Sequence, residues 1–201
     1  NAKTFNLLAA IEREGTLVNA AKAAPGKLSY ASGGIGGTHH LSAALFSYTA
    51  GIDMIHAPYK SGSAAASDLM GGQVQLMFEQ MYSAMPAIKG GRFRALAITS
   101  KTRSRLFPAL PTVAESGLPG FEAANWAAFF MPKGTPGAIV AKLNAATAKA
   151  LDDPAVQKRM KDVGIDPVGP DRRSPAYLAK FAESEIAKWG SAVKAAGVTA
   201  E

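Results

Sequence analysis

The sequence predicts an α/β fold on a mostly parallel sheet with helices on both faces, and three observations carry that prediction. Short β-like runs alternate with helical stretches from Leu28 onward. Glycine or proline marks most of the boundaries, and several helical stretches open on a Ser, Thr or Asp placed to cap them. A βαβα order of this kind buries the sheet on both sides and brings ligands to the carboxyl ends of the strands.

Residues 1–23 admit two readings: helices over 5–11 and 16–24 split by Gly15, or a strand over 10–18. Residues 28–31 read as a strand running into the glycine-rich segment 32–37. Thr38 is placed to cap the helix that follows, in which Leu41, Ala44, Leu45 and Tyr48 recur at helical spacing and Gly51 is the stop. A second strand is expected over 52–56. Ser63 then caps a short helix that buries Leu69 and Met70. Residues 73–78 alternate polar and apolar as a half-buried strand does. A helix over 82–88 and a strand over 93–99 follow. Prolines then punctuate loops, and 121–131 reads as one long crossover strand. The tail is helical: Thr135-Pro136, Asp153-Pro154 and Ser174-Pro175 each pair a cap with a proline suited to the first helical position. In the last helix Leu178, Phe181, Ile186, Trp189 and Val193 mark the core-facing side.

Composition narrows the function classes. Charged residues are only 18% of the 201 and hydrophobic residues 48%, enough to bury a core and too little charge for a disordered chain. The absence of Cys excludes disulfides, thiolate nucleophiles and Cys-ligated metal. No apolar run approaches the roughly 20 residues of a membrane span, and no direct membrane insertion is expected. The net charge of +7 is spread over both halves. Its one local run, Lys89, Arg92, Arg94, Lys101, Arg103 and Arg105, lacks the interleaved aromatics of a nucleic-acid surface, so no nucleic-acid partner is expected.

The segment from Ser32 to His40 is the most informative. Glycines between a strand and a helix let backbone N–H groups approach a ligand, and the helix start adds unpaired donors and a positive dipole end, a combination that suits anions. A plain tight turn has the same composition. No Gly-Lys-Ser/Thr follows, and His39 stands where a dinucleotide fingerprint needs its third glycine. His39 and His40 project about 100° apart on a helix and do not chelate together; no metal site is expected. His40 is either a donor to an anion or a local contact. Glu79, followed by Gln80, stands at a strand end where a parallel sheet presents ligand contacts; a solvated loop acid is the alternative. Trp126, in the expected crossover, is the aromatic best placed for a cleft. No catalytic constellation emerges, since Ser61, Ser63 and Ser67 lack the Gly-x-Ser-x-Gly elbow and no base is placed beside Glu79.

Several ordered motifs together resemble a known family. They are Tyr30-Ala31-Ser32 with the glycines and His40-Leu41, His56-Ala57-Pro58-Tyr59-Lys60, the run from Asp68 to Phe78, Pro111-Thr112-Val113-Ala114-Glu115-Ser116-Gly117 and Pro132-Lys133-Gly134-Thr135-Pro136. Over about residues 24–197 the chain resembles the Bug or TctC family, periplasmic solute-binding proteins of tripartite tricarboxylate transporters. The resemblance implies a two-lobed, type II Venus-flytrap α/β binding protein of the periplasm. Such a protein is non-catalytic and without a cofactor; it takes a small carboxylate and passes it to membrane permease subunits, and a monomer is expected. By position, the carboxylate-binding role falls on Ser32, Gly33, Gly34, Gly36, Gly37, Thr38 and His40. The family's Phe-Asp-Asn pattern falls on Phe78, Glu79 and Gln80, two of which depart from it. The resemblance also implies a first half-lobe with a Pro-Phe-x-x-Gly-Gly-like loop, which is missing or shortened in these 201 residues. Residues 1–23 are then expected as hinge or remnant of lobe 1, residues 24–122 as the ligand-binding lobe 2, and residues 123–201 as crossover strand and C-terminal helical part of lobe 1. Two competing readings share parts of this pattern: the effector-binding domain of a transcriptional regulator, and an enzyme using the glycine loop as an oxyanion site.

Overall fold

The computed structural model describes residues 7–195 and Gly197. They divide into two compact units, one holding the residues up to Asn125 together with those from Trp189 onward, the other Trp126–Lys188.

In the first unit the sheet has three parallel strands, β1 (Ser29–Ser32), β2 (Ile55–Pro58) and β3 (Leu76–Met77), in the order β2-β1-β3. Alternation along β1 sorts the two faces. Leu28 and Tyr30 point into one core with Ala43, Phe46 and Ala50 of α3 (Thr38–Ala50), while Ala31 packs with Ala65 of α4 (Gly62–Met70) and Val74 in a second core. Helices therefore cover both faces, as the βαβα order requires. Phe46 meets Phe78 at 5.4 Å and Phe121 edge-on at 5.9 Å between ring centres, which joins α3 to the segments after β3. Each such buried side chain contributes about 1.5–3 kcal/mol.

Residues 7–23 form helices, α1 (Leu7–Glu14) and α2 (Leu17–Ala23), with the Thr16 hydroxyl accepting from Asn19 N; the expected residues 5 and 6 of the first helix lie outside the described residues. Leu7 and Ala21 belong to the same core as β1 and α3, so these helices pack with the sheet they precede. The expected boundary between 122 and 123 falls three residues before the observed division.

Two expected strands are absent among the described residues. Of 93–99, only Ile98 forms a bridge, parallel to Thr112. Along 121–131, Ala123 N bonds to Thr99 O at 2.9 Å and no ladder follows. A strand exists only through its neighbour, and neither segment has one over its length. Some expected caps shift by one or two residues: Gly37 caps α3 and Thr38 is its first residue, Ser61 caps α4, and Pro136 precedes α6 (Gly137–Asp152). Ala65 is the buried residue of α4, and Met70 is exposed. Helix α5 spans Met81–Lys89. Of the basic run, Arg103 bonds to Glu115 at 2.9 Å and Arg94 lies 3.9 Å from Glu12.

The second unit holds α6, α7 (Pro154–Asp162), a 3-10 turn at Pro170–Arg172 and most of α8 (Pro175–Ala195). Asp153 caps α7 through Ala155 N and Val156 N, and Ser174 accepts from Tyr177 N. Arg173 bonds to Asp152 at 2.7 Å, tying the turn to the end of α6. Neither α6 nor α7 has a buried residue. Of the expected face of α8, Leu178, Phe181, Trp189 and Val193 are half-buried, with Trp189 packed against the core of the first unit, while Ile186 is exposed, contrary to expectation.

Candidate functional site

The strand order creates a switch point. From β1 the chain passes through α3 to β2 on one side, then through α4 to β3 on the other, so the loops after β1 and β3 part and leave a crevice at their carboxyl ends. Helices α3, α4 and α5 all begin at that end, and none has an acidic residue in its first turn; Glu79, just before the cap of α5, is the acid at these helix starts.

The glycine loop lies along this crevice. Gly33 permits a close approach: a Cβ there would lie 2.7 Å from Gly62 N, so the loop after β1 rests directly on the start of α4. Gly36 holds φ +76°, a conformation that disfavours side chains. Several of the loop's N–H groups are already used. Gly33 N donates to His39 Nδ1 at 3.3 Å, Gly34 N to Ser32 Oγ at 3.3 Å, and Gly36 N to His40 Nδ1 at 3.0 Å. The free donors lie one step further on. The first α-helical bond at this end runs from Leu41 N to Gly37 O at 3.0 Å, and among the described residues the N–H groups of Thr38, His39 and His40 have no acceptor. Gly37 and Thr38 are exposed, so this turn is open to solvent.

Behind the loop stand three stacked rings. His40 lies 3.9 Å from His56, nearly parallel, and His56 lies 4.9 Å from Tyr30. The Ser32 hydroxyl pairs with His56 Nε2 at 2.7 Å. Burial holds the His56 pKa down to about 4, with His40 adding to the effect, and burial lowers His40 as well. Neutral rings suit their hydrogen bonds, since a protonated His40 could not accept from Gly36 N.

His39 and Glu79 bridge the crevice. Because His39 Nδ1 accepts from Gly33 N, Nε2 is the nitrogen that donates to Glu79 Oε1, at 3.1 Å. Oε1 also accepts from Gln80 N at 2.8 Å and Ser83 Oγ at 2.7 Å. Burial pushes the Glu79 pKa up, but the bonds from His39, Ser83 and Gln80 outweigh it and leave it lowered. Tyr82's hydroxyl donates to Gln80. Trp126 belongs to the second unit, where its indole N–H donates to Glu185 at 3.2 Å and its ring meets Phe181 edge-on at 5.2 Å.

First-turn N–H groups without an acceptor can receive an anion, and comparison with known proteins gives the family. The model of the tripartite tricarboxylate transporter receptor family, TctC, matches residues 10–198. The chain belongs to this family. A curated relative, the UPF0065 protein in the tcbD-tcbE intergenic region of Pseudomonas sp. (strain P51), is 42% identical over 86% of this chain and 51% of its own length. Among solved structures, R. palustris Rpa4515 with adipate superposes with a TM-score of 0.80 at 34% identity, covering 90% of this chain and 60% of that one. MatC from Rhodopseudomonas palustris with bound malate gives 0.78 at 35%, covering 88% and 60%. The periplasmic binding protein BugD gives 0.78 at 35%, covering 92% and 62%. The chain thus has the α/β fold of periplasmic binding proteins and spans about half the length of the curated relative.

For a TctC-family chain, the sequence located the elements of the site better than its donors. Ser32 to His40 and Glu79 do come together at one crevice, but Gly33, Gly34 and Gly36 spend their N–H groups on the loop itself. The sequence does not show the bridging role of His39 or the stacking role of His56. Strand register held a signal for His56, which stands opposite Tyr30 in the β1–β2 pair. The 100° divergence of His39 and His40 is what sends one ring to Glu79 and the other to His56.

Proposed function

We propose that this protein is a periplasmic receptor that captures a small carboxylate at the first turn of α3 and delivers it to the permease subunits of a tripartite tricarboxylate-type transporter, as a monomer and without catalysis. One observation carries the reading: the three unaccepted N–H groups of Thr38, His39 and His40 at an open helix start with no acid of its own. Such a turn matches a carboxylate in charge and in donor direction. The adipate and malate bound to the two R. palustris neighbours support it. Within this reading residues 24–122 are the ligand-binding lobe.

A thermal-shift screen of the purified chain and of the complete gene product, using small carboxylates and their uncharged amides, tests the proposal. A carboxylate at 100 times its dissociation constant stabilises by about 2.7 kcal/mol, which raises Tm by roughly 5 to 10 °C for a domain of this size. The expected result is a rise with some acids and none with their amides. No rise with any acid in either form of the protein overturns it.

A further inference from the structure

The crevice contains an anionic acceptor that the protein itself leaves half used. Glu79 Oε1 takes three donors, from His39, Gln80 and Ser83, while Oε2 takes none among the described residues. The side chain is 12% exposed, and among the described residues no buried side-chain oxygen lacks a partner, so Oε2 keeps an open face to the crevice. An ionised oxygen without a protein donor is free to accept one from a ligand. No Lys or Arg among the described residues pairs with Glu79; His39 from α3 is its one ionisable partner.

Gly62 stands beside that oxygen. A Cβ on Gly62, the first residue of α4, would lie 3.3 Å from His39 Cε1 and 4.0 Å from Glu79 Oε2. Gly62 does not have a positive φ, so its backbone does not require glycine. A side chain at 62 would crowd His39 and stand against Oε2, and glycine leaves that oxygen uncovered on the α4 side. One imidazole ring separates Glu79 from the loop N–H of Gly33.

We propose that this crevice selects acids carrying a hydrogen-bond donor, a hydroxyl or an ammonium, close to the carboxylate held on α3, with Glu79 Oε2 accepting that donor. The inference rests on the carboxylate-receptor reading and narrows its ligand class. An acceptor-only group gains from an O–H or N–H and gains most from an ammonium, whereas a second carboxylate in the same place meets like charge. His39 supplies both one of the open N–H groups of α3 and the ring bonded to Glu79, which places the donor on the carbon next to the carboxylate or the one after it.

The test uses the complete gene product and matched acids of two to eight carbons, linear and aryl-substituted, each as the unsubstituted, 2-hydroxy and 2-amino compound. Affinities are measured by calorimetry for the wild type and for Glu79→Gln, with the ligand-free Tm of each variant as a check on folding. A hydrogen bond to a charged acceptor predicts at least about tenfold preference for a substituted acid over its unsubstituted match. In Glu79→Gln the ratio between the 2-amino and unsubstituted acids collapses toward one. If Glu79→Gln fails to fold, Gly62→Val fills the same space and is expected to remove the same preference. Equal affinity for substituted and unsubstituted acids in the wild type overturns the proposal while leaving the carboxylate reading intact. A preference that survives in Glu79→Gln, or in Gly62→Val where Glu79→Gln does not fold, overturns the role of Glu79. Binding of no acid at all overturns the carboxylate reading, and this proposal with it.

Discussion

His56 is where the site is most sensitive to protons. Stacked between Tyr30 and His40 and bonded to Ser32, it is held by burial to a pKa of about 4 against an ordinary 6.5. The unfolded chain therefore takes up protons first as pH falls. Stability is complete above about 6.5 and is lost as pH drops from there through about 4, and His40, lowered for the same reason, adds to the loss. Melting temperatures recorded from about pH 7.5 down to pH 4 are expected to fall over that window, and less steeply for His56→Gln; an identical slope in the two proteins refutes the assignment. Glu79, whose pKa is lowered, contributes stability that is present above the ordinary carboxylate range and disappears at more acidic pH, below the histidine window. From the sequence, Glu79 was legible as a strand-end acid, but its partner was not, because the contact between His39 and residue 79 crosses forty positions and depends on the strand order.

Helix α3 organises the site as an element. Its start carries no side-chain cap, whereas α2, α4 and α7 are capped by Thr16, Ser61 and Asp153. A carboxylate built into this end separates stability from binding. In Thr38→Asp the new acid lies at the first helical position, where it is worth about 0.3–1 kcal/mol against the helix dipole and repels an incoming anion. The ligand-free Tm should hold or rise while the shift produced by carboxylates disappears; a preserved shift means the ligand binds elsewhere. Helix starts were readable because caps are local. Asp153-Pro154 and Ser174-Pro175 hold as read, and the misplacement at α4 arose where two serines compete, with Ser61 accepting from Ala64 N at 3.2 Å and Ser63 lying inside the helix.

Across the whole molecule burial is uneven. The first unit holds Leu28, Tyr30, Ala43, Phe46 and Phe121 below 5% exposure, while Phe129 and Phe130 of the second are 70% exposed and α6 and α7 bury nothing. Backbone amides of β1 and α3 should therefore exchange hydrogen for deuterium much more slowly than those of α6 in the isolated 201-residue chain, and similar rates would contradict the difference in packing. The same unevenness explains which strands could be read. Residues 28–31 have paired neighbours and read correctly to within one residue, but 93–99 and 121–131 have strand-like composition without strands beside them, and composition carries no information about a partner.

The three open donors of α3 are peptide groups, and that decides what change can do to them. Replacing the side chain of Thr38 or His39 by anything but proline leaves its N–H in place; a substitution can introduce a rival anion, but only proline deletes a donor. The grip on an acid and the choice among acids are then independent properties, the first written in the direction of the backbone and the second in the few side chains at the strand ends. On the proposed reading, changes at position 79 or 62 alter which acid is preferred while the backbone donors stay as they are.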